Sequence, residues 1–140
     1  MKQQLILKND IEQIVFLEGF IETLAGEVGI DPSQAMSLNL ALEEAVTNVI
    51  LYAYSEGTVG EVCIDAVWDA GQLTFTVTDS GKPFDPTGKE DADITLSAEE
   101  RPIGGLGIFL VKQLMDEIKY ERVDGKNILT MKKNLQSGAE

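Results

Sequence analysis

The chain has 140 residues and a mass of 15.3 kDa, enough for one domain of ordinary size. Eleven lysines and arginines stand against 24 aspartates and glutamates, a net charge of −13, so the surface repels phosphate backbones and anionic membranes, and direct nucleic-acid or membrane binding is not expected. With no histidine and one cysteine, Cys63, Ser-His and Cys-His nucleophiles, imidazole or thiolate zinc sites and phosphohistidine chemistry are excluded.

The N-terminus offers Leu5-Ile6-Leu7 as its only apolar run. That is too short for a signal peptide or a membrane span, so a cytoplasmic protein is expected. A strand is predicted over Gln3–Lys8. Asp10, with Gln13 three residues on, forms a capping-box pattern. Ile11, Ile14, Glu18, Ile21, Ala25 and Val28 then predict one buried stripe on a helix ended by Gly29. Asp31-Pro32 caps a second helix, whose stripe Ala35, Leu38, Leu42, Ala45, Val49 runs down to Tyr52 and Ala53. Gly57 and Gly60 bound the turn after it.

Alternation over Glu61–Asp69 and Gln72–Asp79 predicts two strands joined by a hairpin at Asp69-Ala70-Gly71. The result is an antiparallel sheet with one apolar and one wetter side. From Lys82 to Ile103 periodicity vanishes in an acidic stretch rich in breakers, the pattern of a lid or a disordered loop. Gly104-Gly105-Leu106-Gly107 opens a third helix through Val111 and Met115. A final hairpin, Tyr120–Val123 and Lys126–Met131, turns at Asp124-Gly125. Residues 1–135 read as a single domain and 136–140 as a frayed tail.

Three islands carry chemistry. Glu44 and Asn48 lie four apart on one helix, so their side chains share a face. An amide oxygen suits Mg²⁺, and a carboxylate one turn away suits a general base. The same spacing also fits a solvated face with an i,i+4 hydrogen bond. Asp79 keeps phase with Leu73, Phe75 and Val77, which turns its carboxylate toward the apolar side, where it needs a donor such as an adenine amine. Gly81 permits close backbone approach to a flat ring. A bland alternative is an aspartate capping its own turn.

The glycines at 104, 105 and 107 offer backbone N–H groups to phosphate at a helix N-terminus, or a lid hinge. Their spacing is neither a P-loop nor a dinucleotide fingerprint. Arg101 and Lys89 lie in the lid segment, within reach of a γ-phosphate or as ordinary surface charges. Trp68 reads as core, Cys63 as a small strand residue, and the run from Lys89 to Asp93 as a solvated loop. In this order the islands together suit the holding of a nucleotide, by its base at one end and by its phosphates at the other.

EEAVTN, DSGKPFDP and GGLGIFLV resemble the N-box and the two glycine boxes of the GHKL nucleotide-binding superfamily. Within it the chain is similar, nearly end to end, to the short anti-sigma-factor serine kinases of the RsbW and SpoIIAB type. The resemblance implies a Bergerat-type α/β (α+β) sandwich, a mixed and mostly antiparallel sheet with three main helices on one face. It also implies ATP and Mg²⁺ as cofactors, a STAS-type antagonist as phosphorylated partner, a sigma factor or another regulator as sequestered target, and a homodimer.

By the same resemblance Glu44 is the general base, Asn48 the Mg²⁺ ligand and Asp79 the adenine-binding aspartate, with Gly81 beside the base. Gly104, Gly105, Leu106 and Gly107 border the phosphates, and Arg101 is the nearest cation. Three departures stand out. Leu51-Tyr52-Ala53-Tyr54 follows the N-box where many relatives carry histidine. Pro83 replaces a glycine of the first box. Arg101 lies three residues before Gly104 rather than beside the glycines. The expected function is an ATP-dependent serine/threonine kinase in a partner-switching system, the alternative a nucleotide-gated binder with little or no phosphotransfer. A self-contained sensor histidine kinase is disfavoured by the missing histidine.

Overall fold

The computed structural model describes residues 2–55, 57–86 and 105–135. Five strands, β1 (Lys2–Lys8), β2 (Glu61–Asp69), β3 (Gln72–Asp79), β4 (Glu117–Val123) and β5 (Lys126–Asn134), form one sheet in the order β1-β2-β3-β5-β4. All four pairings among the described residues are antiparallel. Both hairpins turn through two residues at positive φ, Ala70 and Gly71 (52° and 81°) and Asp124 and Gly125 (51° and 79°). That backbone hand matches the right-handed twist of the flanking strands, which is why the D-A-G and D-G sequences signal the turns.

Period-2 alternation puts Leu7, Val62, Ile64, Ala66, Leu73, Phe75, Val77, Leu129 and Met131 in the core. The register aligns them on one face, for example Leu7↔Val62, Ile64↔Val77 and Phe75↔Met131. Helices α1 (Phe16–Val28), α2 (Pro32–Asn48) and α3 (Gly105–Leu114) contribute to the same cluster, through Leu24, Leu42 and Val111 among others. The opposite side carries Thr74, Thr76, Thr78 and Thr130, all half-buried. This is the expected sandwich of one sheet and three helices. Trp68 packs half-buried against the core. Burial and then the Asp65 carboxylate push the Cys63 thiol up from its ordinary pKa, which suits a quiet strand residue.

The first helical segment departs from its expected phase. Residues Ile11–Val15 form a 3₁₀ turn before α1 begins. Each 3₁₀ residue advances about 120° rather than 100°, so a stripe drawn at α-helical spacing from Ile11 shifts in phase. Of the expected stripe Ile21 is buried and Ile14, Ala25 and Val28 are half-buried, while Ile11 and Glu18 are exposed and Leu17, Phe20 and Leu24 join Ile21 in the core. The cap is also rearranged. Asp10 accepts from Glu12 N at 3.0 Å, and Gln13 Oε1 reaches past Asp10 to accept from Lys8 N at 3.2 Å. Gly29, at φ 80°, closes α1 with its N–H on Ala25 O.

Helix α2 starts as predicted, with Asp31 Oδ1 accepting from Gln34 N at 2.9 Å and Pro32 in the first turn. It does not stop at Asn48. A π-helical turn, Val49–Ala53, widens it and delivers Ala53 and Tyr54 beneath the end of β3, a distortion often found beside functional sites. Most of the expected lid, residues 87–103, and the tail 136–140 lie outside the described residues.

Candidate nucleotide site

Among the described residues three polar side chains are buried: Asn48 (4% exposed), Asp79 (3%) and Asn127 (4%). All three line one cavity between α2 and the sheet, together with Val77, Phe84 and Tyr120. Larger hollows exist elsewhere, about 370 Å³ between α1 and α2 and about 930 Å³ beside the end of β1. Volume does not pick the site. Each buried polar group costs free energy to desolvate, and these three gather at this cavity.

Asp79 ends β3 in phase with Leu73, Phe75 and Val77, and the alternation carries its carboxylate inward. Oδ1 accepts from Gly81 N at 2.8 Å and from Asn127 Nδ2 at 2.9 Å. No described residue donates to Oδ2. Burial lifts the Asp79 pKa above the ordinary carboxylate value. The Asn127 and Gly81 hydrogen bonds and the charge of Arg122 oppose that lift without cancelling it. A carboxylate held this way is an acceptor with one oxygen fixed and the other available.

Asn48 is buried because α2 turns that face toward the sheet. Its Nδ2 donates to Glu44 O at 3.0 Å. A carbonyl partner demands the NH₂ group, so the amide oxygen is left as a hard acceptor. Glu44 is half-buried one turn earlier and does not line the cavity.

Gly81 makes a close approach to the chain itself. A Cβ there would lie 2.2 Å from Ala53 O. Lys82 N donates to the same carbonyl at 2.8 Å, and Tyr54 Oη accepts from Ser80 N at 3.1 Å while donating to Glu61 O at 2.7 Å. The first glycine loop is therefore seated on the π-helical turn.

The cavity holds about 10 Å³, room for roughly one water. Phe84 stacks on Tyr52 with ring centroids 5.4 Å apart and planes at 24°. Gly105, Leu106 and Gly107 open α3, which packs against α2. Gly104, Arg101 and Lys89 lie outside the described residues.

Sequence reasoning missed Asn127, Tyr120, Arg122 and Phe84. A signal for Asn127 was present: it keeps phase with Leu129 and Met131, the same pattern that exposed Asp79. Its pairing opposite Asp79 needed the sheet register.

Comparison with known proteins agrees with this fold. Residues 7–133 match the family model described as histidine kinase-like ATPase domain. The chain is 31% identical over 113 residues to the serine-protein kinase RsbW of Listeria monocytogenes serovar 1/2a, covering 78% of this chain and 72% of that protein. It is 29% identical over 125 residues to RsbW of Bacillus cereus, covering 86% and 78%. The crystal structure of the RsbU and RsbW domains of a Mycobacterium tuberculosis protein superposes with a TM-score of 0.69 at 17% identity, over 96% of this chain and 32% of the other. That likeness supports the fold. The chain belongs to the histidine kinase-like ATPase domain family, among its RsbW-type members.

Proposed function

We propose that the protein is an ATP-dependent serine/threonine protein kinase that phosphorylates a small STAS-type antagonist and, through it, controls release of a sigma factor or another regulator. The observation that carries the reading is the convergence of Asn48 and Asp79, both buried, on one cavity between α2 and the sheet. The naming of its relatives as serine-protein kinases supports it.

Asp79 holds the nucleotide by its base, with Oδ2 accepting from the exocyclic amine. Gly105 and Gly107 present backbone N–H groups to the phosphates at the N-terminus of α3. Asn48 would hold Mg²⁺ through its amide oxygen, a hard donor that the bond from Nδ2 to Glu44 O leaves open. The ion supplies neutralisation of phosphate charge. Glu44 takes the proton of the attacking hydroxyl as its oxygen bonds to the γ-phosphorus and the bond to the departing ADP oxygen breaks. The partner's serine or threonine enters from the side of Glu44, and a homodimer is the expected assembly.

A nucleotide-gated binder without phosphotransfer remains as the rival, favoured by one observation: Glu44 stands outside the cavity that Asn48 and Asp79 line. Saturable stabilisation by Mg-ATP, lost in Asp79→Asn, tests the site. At about a hundred times its dissociation constant a ligand adds roughly 2.7 kcal/mol, a shift of several degrees in a domain this size. Phosphotransfer from labelled ATP to a STAS-domain protein then separates the readings. Activity lost in Glu44→Ala with ATP binding intact supports the kinase. No transfer by the wild type, with binding present, supports the rival. No thermal shift with Mg-ATP or Mg-ADP refutes both.

A further inference from the structure

Asn127 spends every polar valence of its side chain inside the protein. Nδ2 donates to Asp79 Oδ1 at 2.9 Å and to Lys82 O at 2.8 Å. Oδ1 accepts from Phe84 N at 3.2 Å, from Arg122 Nη1 at 3.2 Å and from Tyr120 Oη. Two acceptors on one end and three donors on the other fix the amide's orientation, since flipping it would set donor against donor. No valence is left to touch a ligand. These partners come from three separate stretches: the end of β3, the loop over residues 80–84, and β4. Arg122 extends the brace, because the same Nη1 donates to Gly81 O at 2.8 Å.

From this arrangement we infer that Asn127, braced by Arg122, is a positioning residue that selects the base of the nucleotide. It loads Asp79 Oδ1 and anchors the first glycine loop, leaving Oδ2 as the acceptor for an exocyclic amine. The inference rests on the nucleotide reading above and deepens it. A buried carboxylate with both oxygens free to rotate would accept equally well in several orientations and discriminate poorly. Fixing one oxygen removes that freedom before the ligand arrives, so less is lost on binding. Because Asn127 is buried and its hydrogen-bonding groups are saturated, its effect on binding must pass through Asp79 and the loop.

The test compares ATP with purine riboside triphosphate, which lacks only the exocyclic amine. Dissociation constants of both Mg-nucleotides are measured for the wild type, Asn127→Ala, Arg122→Ala and Asp79→Asn, with thermal melts on each protein. The wild type is expected to prefer ATP by about tenfold or more, the size of a hydrogen bond to a charged acceptor. Asp79→Asn is expected to erase that preference. Asn127→Ala is expected to shrink it several-fold, and Arg122→Ala, at an exposed position that leaves the core untouched, by a smaller factor. A merely structural role weakens both ligands alike and leaves the ratio at the wild-type value. That result overturns the inference while binding by the wild type keeps the nucleotide site standing. If Asn127→Ala does not fold, the ratio in Arg122→Ala decides in the same way. Failure of the wild type to bind either nucleotide overturns the inference together with the reading beneath it.

Discussion

Gly81→Ala is the sharpest single perturbation available in this fold. Gly81 is not among the residues at positive φ, so left-handed backbone strain adds nothing there, and the effect of a methyl group is set by what it meets. The added carbon would lie 2.2 Å from Ala53 O, 2.7 Å from Ala53 C and 3.0 Å from Ala53 Cβ. Two of those three atoms are backbone within the π-helical turn, so neither a rotamer change nor a flexible tip relieves the overlap. The loop must move about an ångström, a displacement that takes good hydrogen bonds beyond their useful range.

Three bonds of 2.8 Å depend on its present seat: Lys82 N to Ala53 O, Gly81 N to Asp79 Oδ1, and Arg122 Nη1 to Gly81 O. At about 1 kcal/mol for the neutral pair and about 1.5–3 kcal/mol for each bond to a charged group, discounted for the exposed Arg122, the expected loss is about 3–5 kcal/mol. For a domain of this size that lowers Tm by roughly 10 °C or more. It also removes one of the two donors on Asp79 Oδ1, leaving Asn127 Nδ2 alone there, and weakens Mg-ATP binding. Urea titration at neutral pH followed by nucleotide titration reads both effects. A variant melting within a degree or two of the wild type, with unchanged affinity, would refute the claim that close packing on Ala53 holds the site.

Phe75 is fully buried at the centre of the sheet, and Phe75→Ala is expected to cost about 3–5 kcal/mol in urea denaturation. Ala70 sits at φ 52° in its hairpin, a conformation that asparagine tolerates better than alanine, so Ala70→Asn is expected to stabilise by about 0.5–1 kcal/mol and raise Tm by a few degrees. Asp79→Asn is expected to stabilise the ligand-free protein in a pH-dependent way. Burial lifts the folded-state pKa above the unfolded value of 3.8, so the wild type loses stability as pH rises from that value and levels off above the lifted one. The variant escapes this cost. Urea midpoints from acid to neutral pH should therefore diverge in its favour, and parallel curves would contradict the burial of the charge.

What the chain's order alone determined is local. Asp31-Pro32 starts a helix, Asp124-Gly125 turns a hairpin and alternation defines both faces of the sheet, because these signals act within a few residues and need no partner. Alternation even placed Asp79 inward, since period 2 carries through to the last strand residue. The boxes around Glu44, Asp79 and Gly104 pointed to the family, because a nucleotide imposes residue types in a fixed order.

What the tertiary structure decided depends on contacts between distant residues. With the 3₁₀ turn at Ile11–Val15, the buried stripe of α1 keeps Ile21 but takes Leu17, Phe20 and Leu24 in place of Ile11 and Glu18. A change of local pitch rotates everything after it, and sequence periodicity assumes one pitch. The need for glycine at position 81 comes from Ala53, far earlier in the chain and brought beneath it by the π-helical turn. The partnership of Asp79 with Asn127 spans 48 positions and exists only because β3 and β5 pair in that register. A one-residue slip would turn Asn127 to the other face. Sequence patterns specify which way a side chain turns; only the packed sheet specifies what it meets there.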